Sequence, residues 1–140
     1  MDYKKFGNTY IIRMDREEEI IQTLKIFCTE HNIRLGWVSG IGAIKSATLG
    51  LFRTSTKKYA ANEFAGEYEI SSLTGNISEM DGKPYLHIHA TISDIEQKTY
   101  GGHLSSAVVS AVAEIIIGVI EGSADRTFDE NTGLNILNLH

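Results

Sequence analysis

The sequence predicts an α+β fold in which a mainly antiparallel β-sheet is accompanied by one main amphipathic helix. A single segment, which follows Asp15, has the periodicity of a helix with one apolar face. Most of the remaining chain is dominated by β-branched and aromatic residues that lie between glycines and polar clusters, as is typical of strands. The pair Asp81-Gly82 separates two of these segments and favours a tight hairpin turn, so we expect those two strands to pair antiparallel.

The helix is predicted to begin at Asp15. The Asp15 carboxylate can accept a hydrogen bond from the backbone N–H three residues on, while Glu18 reaches back, which makes a D-x-x-E variant of the capping box. The apolar positions that follow have helical spacing, and they are Ile20, Ile21, Leu24, Phe27 and Cys28. We expect Cys28 to be a core thiol, because no cationic partner or CxxC spacing activates it.

Six further segments are predicted as strands from their residue types and spacing. The first four, in chain order, are residues 10–14, 44–52, 67–77 and 85–93. Turn signals at residues 129–133 precede an alternating apolar tail. That tail predicts a last short strand within residues 134–139.

Residues 113–120 are apolar on both faces apart from Glu114. This pattern predicts a strand that is covered on both sides or buried against another subunit. A carboxylate inside such a strand must find a hydrogen-bonding partner, because burying it alone costs several kcal/mol. We therefore interpret Glu114 as part of a structural ion pair or, second, as an acid or base of a functional site.

The strand at residues 85–93 carries the clearest functional signal. Its strict alternation separates an apolar face from a polar face. The apolar face comprises Leu86, Ile88, Ala90 and Ile92, and the polar face comprises His87, His89, Thr91 and Ser93. Alternate residues of a strand lie roughly 6.5 to 7 Å apart, so both imidazoles can lean onto one metal ion. The plainer interpretation of His87 and His89 is two solvated side chains on an exposed face.

A third candidate ligand is His103, which follows Gly101-Gly102. The missing side chains would let the backbone turn sharply and bring the imidazole close to a neighbouring strand. Three neutral imidazoles make a metal site that keeps an open position for water or substrate. Of the other histidines, His31 is expected to cap carbonyls or contact the helix dipole, and His140 is expected to be exposed.

Length, charge and cysteine content exclude several classes of protein. A chain of 140 residues is expected to form one domain over residues 1–140. A single cysteine closes no intrachain disulfide, and the N-terminus lacks the pattern of a signal peptide, so we expect a cytoplasmic protein. The longest near-apolar stretch, residues 107–120, is too short and too interrupted for a membrane helix. The net charge of -5 disfavours non-specific binding to nucleic acid.

Five segments together resemble the plant and prokaryote conserved domain, or PPC domain, in its free-standing prokaryotic form. They are S-G-I-G-A at residues 39–43, Y-E-I-S-S-L-T-G-N-I at 68–77, L-H-I-H-A at 86–90, G-G-H-L at 101–104 and A-E-I-I at 113–116. They follow the family's order and cover most of the chain. The resemblance implies an antiparallel sheet with one main helix, a homotrimer, and a metal, most often zinc, held at His87, His89 and His103.

The chain departs from the plant members of that family at two points. In plants the domain follows an AT-hook, whose Arg-Gly-Arg core lies in the A·T minor groove, and this chain has no Arg-Gly-Arg. Glu67 stands where the partner-binding stretch of the plant domain has an arginine. We therefore expect neither plant property to transfer to this chain.

The leading hypothesis is a small cytoplasmic trimer with a three-histidine metal site, whose physiological role the residues do not specify. A first alternative is a metal-dependent enzyme acting on a small polar molecule, with Glu114 or Ser93 handling protons near the metal. A second alternative is a DNA-binding or regulatory protein, as the family label suggests. Such a protein would show a basic stripe, whereas the pairs Lys4-Lys5 and Lys57-Lys58 are isolated in the sequence.

Overall fold

Strands and one helix make up most of residues 1–139, the part of the chain that the computed structural model describes. In chain order the elements are β1 (Asp2–Phe6), β2 (Thr9–Asp15), α1 (Ile20–Glu30), β3 (Gly36–Arg53), β4 (Lys58–Met80), β5 (Lys83–Ser93), β6 (Thr99–Val119), β7 (Arg126–Asp129) and β8 (Leu134–Leu137). These strands form two sheets, and neighbouring strands within each sheet are antiparallel. The predicted α+β fold, a mainly antiparallel sheet with one main helix, is confirmed. Within residues 1–139, no helix has the length and apolar character to cross a membrane.

The main sheet has six strands in the order β1-β2-β6-β3-β4-β5, and β5 pairs in addition with β6. Residues 112–118 of β6 pair with β2, and residues 99–103 of β6 pair with β5. β3 lies along the other edge of β6 for most of its length. At one end of the sheet, β3, β4, β5 and β6 therefore close into a ring, which we call the four-strand ring.

The predicted strands at residues 10–14, 67–77 and 85–93 are confirmed as parts of β2, β4 and β5. The predicted strand at residues 44–52 is the second half of β3, which begins at Gly36. The predicted strand at residues 113–120 is only the last part of β6, which begins at Thr99. β1 and β7 were not predicted, because β1 has adjacent lysines and β7 has only four residues.

The hairpin between β4 and β5 is confirmed at Asp81-Gly82. Both residues have positive φ angles, 53° for Asp81 and 72° for Gly82, and they lie between the paired residues Met80 and Lys83. Two consecutive positive φ angles define the turn type whose twist matches that of the flanking strands. The turn thereby fixes the register that carries His87 and His89 along β5.

The helix begins later than the sequence predicts, because Glu19 and not Asp15 is its N-cap. The backbone N–H of Asp15 does donate to Glu18 Oε2 at 2.6 Å, as in one half of a capping box. The backbone that follows bonds to β6 instead of starting the helix. Both the N–H and the carbonyl of Val109 are hydrogen-bonded to residues 17–18, each at 3.0 Å.

The carboxylate of Glu19 joins the helix to the sheet. Its Oε1 accepts hydrogen bonds from the backbone N–H of Ile21 at 3.2 Å and from that of Ala107 in β6 at 2.9 Å. Its Oε2 accepts from the N–H of Gln22 at 2.6 Å. One side chain therefore satisfies two free N–H groups of the helix and one of the sheet.

The core lies between α1 and one face of the sheet. The apolar face of α1 is buried at the predicted positions Ile20, Ile21, Leu24, Phe27 and Cys28. Burial raises the pKa of the Cys28 thiol to about 12, which confirms it as a core residue. His31 ends the helix through its backbone N–H, which donates to the Phe27 carbonyl at 3.0 Å. Its ring does not cap carbonyls but packs against Tyr3, Tyr10 and Phe27.

Within one chain, the strand around Glu114 is covered on one face only. Ala113, Ile115 and Ile117 are fully buried, whereas Glu114 is exposed and Ile116 is 37% exposed. The expected two-sided cover and the buried carboxylate are therefore wrong for the single chain, because α1 lies on one side of the sheet. The other face carries an outer patch, formed by Ile11, Ile41, Val112 and Ile116, whose side chains are each at least 37% exposed.

The predicted last strand is confirmed as β8, which pairs with β7 in a separate two-stranded sheet. This small sheet is tied to β4 by a hydrogen bond of 2.9 Å from the Glu79 N–H to the Ala124 carbonyl. The predicted exposure of His140 lies outside the described residues.

Replacing Glu19 by alanine removes the acceptor of three backbone N–H groups. We expect the Glu19→Ala variant to lose about 2 kcal/mol of unfolding free energy, since a lost N-cap costs about 0.5–2 kcal/mol and an orphaned sheet N–H adds to it. Urea denaturation followed by circular dichroism, at matched protein concentration, measures this loss. Glu30→Ala, at an exposed position in the same helix, is the control and should change stability by less than about 0.5 kcal/mol. Equal losses in the two variants would contradict the role of Glu19.

Candidate metal centre

The alternation predicted for β5 is confirmed, and it places two imidazoles side by side. Leu86, Ile88, Ala90 and Ile92 are at most 9% exposed and face the core. His87 and His89 project from the opposite face of β5. Their ring centroids are 5.1 Å apart. The two rings therefore share one local environment, as metal ligands must.

His103 reaches the pair through strand pairing. In the register of β5 and β6, His103 lies directly opposite His89, and in that of β3 and β6 it lies opposite Gly50. Its ring centroid is 5.4 Å from that of His87 and 5.7 Å from that of His89. The structure thus brings together all three predicted ligands, from two strands that are adjacent in space.

Gly102 explains how β6 comes so close to β3. A Cβ atom on Gly102 would lie 2.6 Å from the carbonyl oxygen of Gly50, a distance that real Cβ atoms do not tolerate. The close approach expected from Gly101-Gly102 is therefore confirmed. The expected sharp turn is wrong, because both glycines lie within β6 and neither has a positive φ angle.

The histidine side chains satisfy the distance requirement for binding one metal ion. One ligand nitrogen from each of His87, His89 and His103 can be chosen so that all three lie within 4.8 Å of one another. Two nitrogens bound tetrahedrally at about 2.0 to 2.1 Å from zinc are about 3.3 Å apart. Side-chain rotations that move each nitrogen by about an ångström bridge this difference. The donor set therefore fits a divalent transition metal.

The protonation of the cluster favours metal binding. Burial lowers the pKa of His87, and the positive charge of Arg126 and then the neighbouring histidines lower it further. Burial, and then His89, lower the pKa of His103. A lowered pKa keeps these imidazoles neutral at neutral pH, so their lone pairs are free to bind a metal.

The three histidines open into a cavity of about 670 Å³ between the four-strand ring and the small sheet of β7 and β8. Arg126 of β7 lines this cavity and is only 8% exposed. Sequence reasoning missed Arg126. The adjacent Asp125 suggests an ordinary surface pair, and only the tertiary position of β7 brings the guanidinium to the cavity.

The two predicted proton-handling residues lie elsewhere within the chain. Glu114 is in the same strand as His103, but it lines a groove on the outer face with Ile41 and Ile116. Ser93 shares a hydrogen bond of 2.7 Å with Ser71 and does not line the histidine cavity. Their roles as acids or bases stay predictions.

Solved structures of bacterial and archaeal proteins share this fold. The chain is similar to a candidate DNA-binding protein from Bacteroides thetaiotaomicron, with 39% sequence identity, a TM-score of 0.96, and coverage of 98% of this chain and 96% of that one. It is also similar to a metal-containing protein from Archaeoglobus fulgidus, with 32% identity, a TM-score of 0.87 and coverage of 99% of both chains. These likenesses extend over nearly the whole chain.

A longer protein also contains a related segment. The chain is 31% identical over 134 residues to the bifunctional protein GlmU of Synechococcus sp. strain JA-3-3Ab. The match covers 94% of this chain and 20% of that protein. The chain thus spans about a fifth of the length of the curated relatives it matches.

The model of one protein family matches most of the chain. It describes the Plants and Prokaryotes Conserved (PCC) domain and matches residues 1–121, a range that includes all three histidines. This is the domain that the five sequence segments resemble, and a solved PPC protein from Pyrococcus horikoshii has the same fold. The chain therefore belongs to the Plants and Prokaryotes Conserved (PCC) domain family.

Proposed function

We propose that this chain is a cytoplasmic, homotrimeric metal-binding protein that holds one divalent transition metal, with zinc the first candidate, at His87, His89 and His103. The observation that carries the proposal is the convergence of the three imidazoles within 4.8 Å. A relative that is 32% identical and described as metal-containing adds support. Three imidazole nitrogens form a donor set that zinc accepts in proteins.

The chemistry available at such a site follows from the open position that three protein ligands leave. A metal held there supplies a Lewis acid that faces the cavity. The chain's own part would be to hold three imidazoles, with the pKa values of His87 and His103 lowered by burial, and to shape the largely apolar cavity above them. A metal-dependent enzyme acting on a small molecule is the second candidate function, and the cavity beside the histidines is what favours it.

The outer patch supports the homotrimer. Ile11 and Ile116 are direct neighbours across β2 and β6, and Ile41 is 55% exposed on the adjacent strand. Together with Val112 they form an apolar surface at the centre of the sheet, where a solvated face would carry polar residues. A second and third copy of the chain would cover this surface.

A DNA-binding role receives less support from the charges. Arg13, Arg34, Lys45 and Lys98 each form an ion pair with a carboxylate of the same chain. The net charge is -5. One similar protein is described as a candidate DNA-binding protein, but this sequence contains no Arg-Gly-Arg. Affinity for the phosphate backbone needs unpaired, clustered cations.

We expect the protein purified without a tag or chelator to bind one zinc per chain. The His89→Ala variant leaves two ligands and should bind zinc at least about tenfold more weakly, as judged by chelator competition. Protons compete for the imidazoles, so binding should weaken as the pH falls through about 6. The lowered pKa values of His87 and His103 keep binding intact at and above pH 7.

The control for this measurement is His31→Ala, which removes an imidazole from the aromatic cluster next to α1 and should leave the zinc affinity unchanged. Unfolding is measured in parallel, so that a loss of structure is not mistaken for a loss of ligands. Equal zinc affinity in the His89→Ala variant and the wild type would contradict the site.

Light scattering should report a mass of three times 15.5 kDa at micromolar concentration. The Ile116→Asp variant places a charge in the outer patch and should shift the protein toward monomers, because burying an unpaired carboxylate is costly. Ile26→Asp, on the exposed side of α1, is the matched control and should remain trimeric. A monomeric wild type would remove the proposed assembly.

Duplex DNA should bind weakly near physiological salt. Fluorescence anisotropy at about 150 mM salt should show no sub-micromolar affinity, because the charge balance gives little counterion release. A sub-micromolar dissociation constant at that salt concentration would favour the DNA-binding alternative over the proposed function.

A further inference from the structure

The cavity above the histidines contains a buried positive charge that forms no ion pair with a carboxylate of residues 1–139. Arg126 is 8% exposed and lies at the start of β7. Among residues 1–139, the ion pairs of the structure do not include Arg126. Burying a guanidinium is costly unless it is paired, so its position calls for a functional explanation.

Neutral groups hold the guanidinium in place. Its Nε donates to Ser78 Oγ at 2.8 Å, its Nη1 to the Asn135 carbonyl at 2.8 Å, and its Nη2 to Asn76 Oδ1 at 2.9 Å. The guanidinium also lies over the ring of Tyr85, with its central carbon 4.7 Å from the ring centroid. These contacts fix the orientation of Arg126 and leave its charge in full.

Two N–H groups of the Arg126 guanidinium are not used by its hydrogen bonds to Ser78, Asn135 and Asn76. A guanidinium has five N–H groups, and the three bonds to neutral acceptors use three of them. One N–H is therefore left on each terminal nitrogen. Two guanidinium nitrogens that each donate one hydrogen bond can bind the two oxygens of a carboxylate in a bidentate manner.

The charge is next to the proposed metal site. Asn76, which accepts from Arg126, is paired in register with His87, and Tyr85 precedes His87 by two residues on the same face of β5. Arg126 and the three histidines line one and the same cavity. A ligand in that cavity can therefore contact Arg126 and the histidine site together.

The rest of the cavity wall is largely apolar. Besides the residues already named, its lining includes Leu51, Phe52, Leu134, Ile136 and Leu137, together with Tyr59 and Asn135. Such a wall favours a ligand whose main part is apolar. It disfavours a ligand with further charged groups that would contact the apolar residues. Among the described lining residues Arg126 is the one lysine or arginine, and its two remaining N–H groups match the two oxygens of one carboxylate. A divalent metal at the histidines would add positive charge beside it.

We propose that this cavity binds a small organic carboxylate with an apolar body, that Arg126 receives the carboxylate, and that the β7–β8 sheet covers the body. This inference rests on the proposed function in one respect, namely that a metal at the three histidines faces the same ligand. It rests otherwise on Arg126 and on β8, which lie beyond the residues matched by the family model.

The test uses the full chain loaded with zinc and titrated calorimetrically with benzoate and with benzamide, its neutral counterpart. We expect benzoate to bind at least about tenfold more tightly than benzamide, because only benzoate makes charge-assisted hydrogen bonds to Arg126. The Arg126→Gln variant should lose at least about tenfold in benzoate affinity and keep one zinc per chain. Arg16→Gln, at an exposed position before α1, is the matched control and should bind benzoate as the wild type does.

Arg126 also joins β7 to β4, so the Arg126→Gln variant can fail to fold. In that case the wild type decides, because benzoate but not benzamide should shift the ¹⁵N and ¹H resonances of the Arg126 guanidinium. Equal binding of benzoate and benzamide, or unchanged benzoate affinity in a folded Arg126→Gln protein, would overturn the proposal. Tighter binding of inorganic phosphate than of benzoate would overturn the choice of a carboxylate.

The two proposals fail in different ways. If the wild type binds no zinc, the proposed function is wrong, and the benzoate titration of the metal-free protein then decides the role of Arg126 alone. If His89→Ala abolishes benzoate binding while Arg126→Gln leaves it unchanged, the anion binds through the metal, and the inference about Arg126 is wrong.

Discussion

The central constraint on this structure is that both edges of one long strand, β6, must be paired. Its backbone groups bond to β3 along one edge and, along the other, to β2 near its end and to β5 near its start. Buried backbone groups without partners are too costly to leave, so the sheet bends until both edges of β6 are matched. Irregular steps in the β3–β6 register accommodate that bend. The four-strand ring, and with it the position of His103, follows from this pairing.

The sequence predicted those parts of the site that depend on local periodicity. His87 and His89 were placed correctly because alternation along a strand is independent of the rest of the fold. Their meeting with His103 depends on the register of β5 against β6, a long-range property that residue types alone do not determine. The start of β6 was missed because its glycine, serine and threonine residues look like a loop until the adjacent strands are in place. The shift of the N-cap to Glu19 has the same origin, since β6 competes for the backbone before it.

Glu114 and Arg126 show the same limit from opposite sides. An apolar neighbourhood in the sequence suggested a buried carboxylate, yet Glu114 is exposed because only one face of the sheet has a helix against it. Sequence reasoning made no prediction for Arg126, which is buried because β7 folds back over Tyr85 and Asn76. In both cases the burial of a charged side chain was decided by a distant element. The candidate site correspondingly lies where two such elements meet, between the four-strand ring and the small sheet.

The pairing of β2 with β6 also has a consequence for how the chain is made. Residues 9–15 leave the ribosome well before their partners at residues 112–118. Until then the growing chain exposes the edges of β2 and β3 and the apolar face of α1, which are surfaces prone to aggregation. Contacts between such distant segments also slow folding, because a long loop must close before they form. The nascent chain therefore exposes these surfaces until β6 has emerged, and only then can its native sheet be completed.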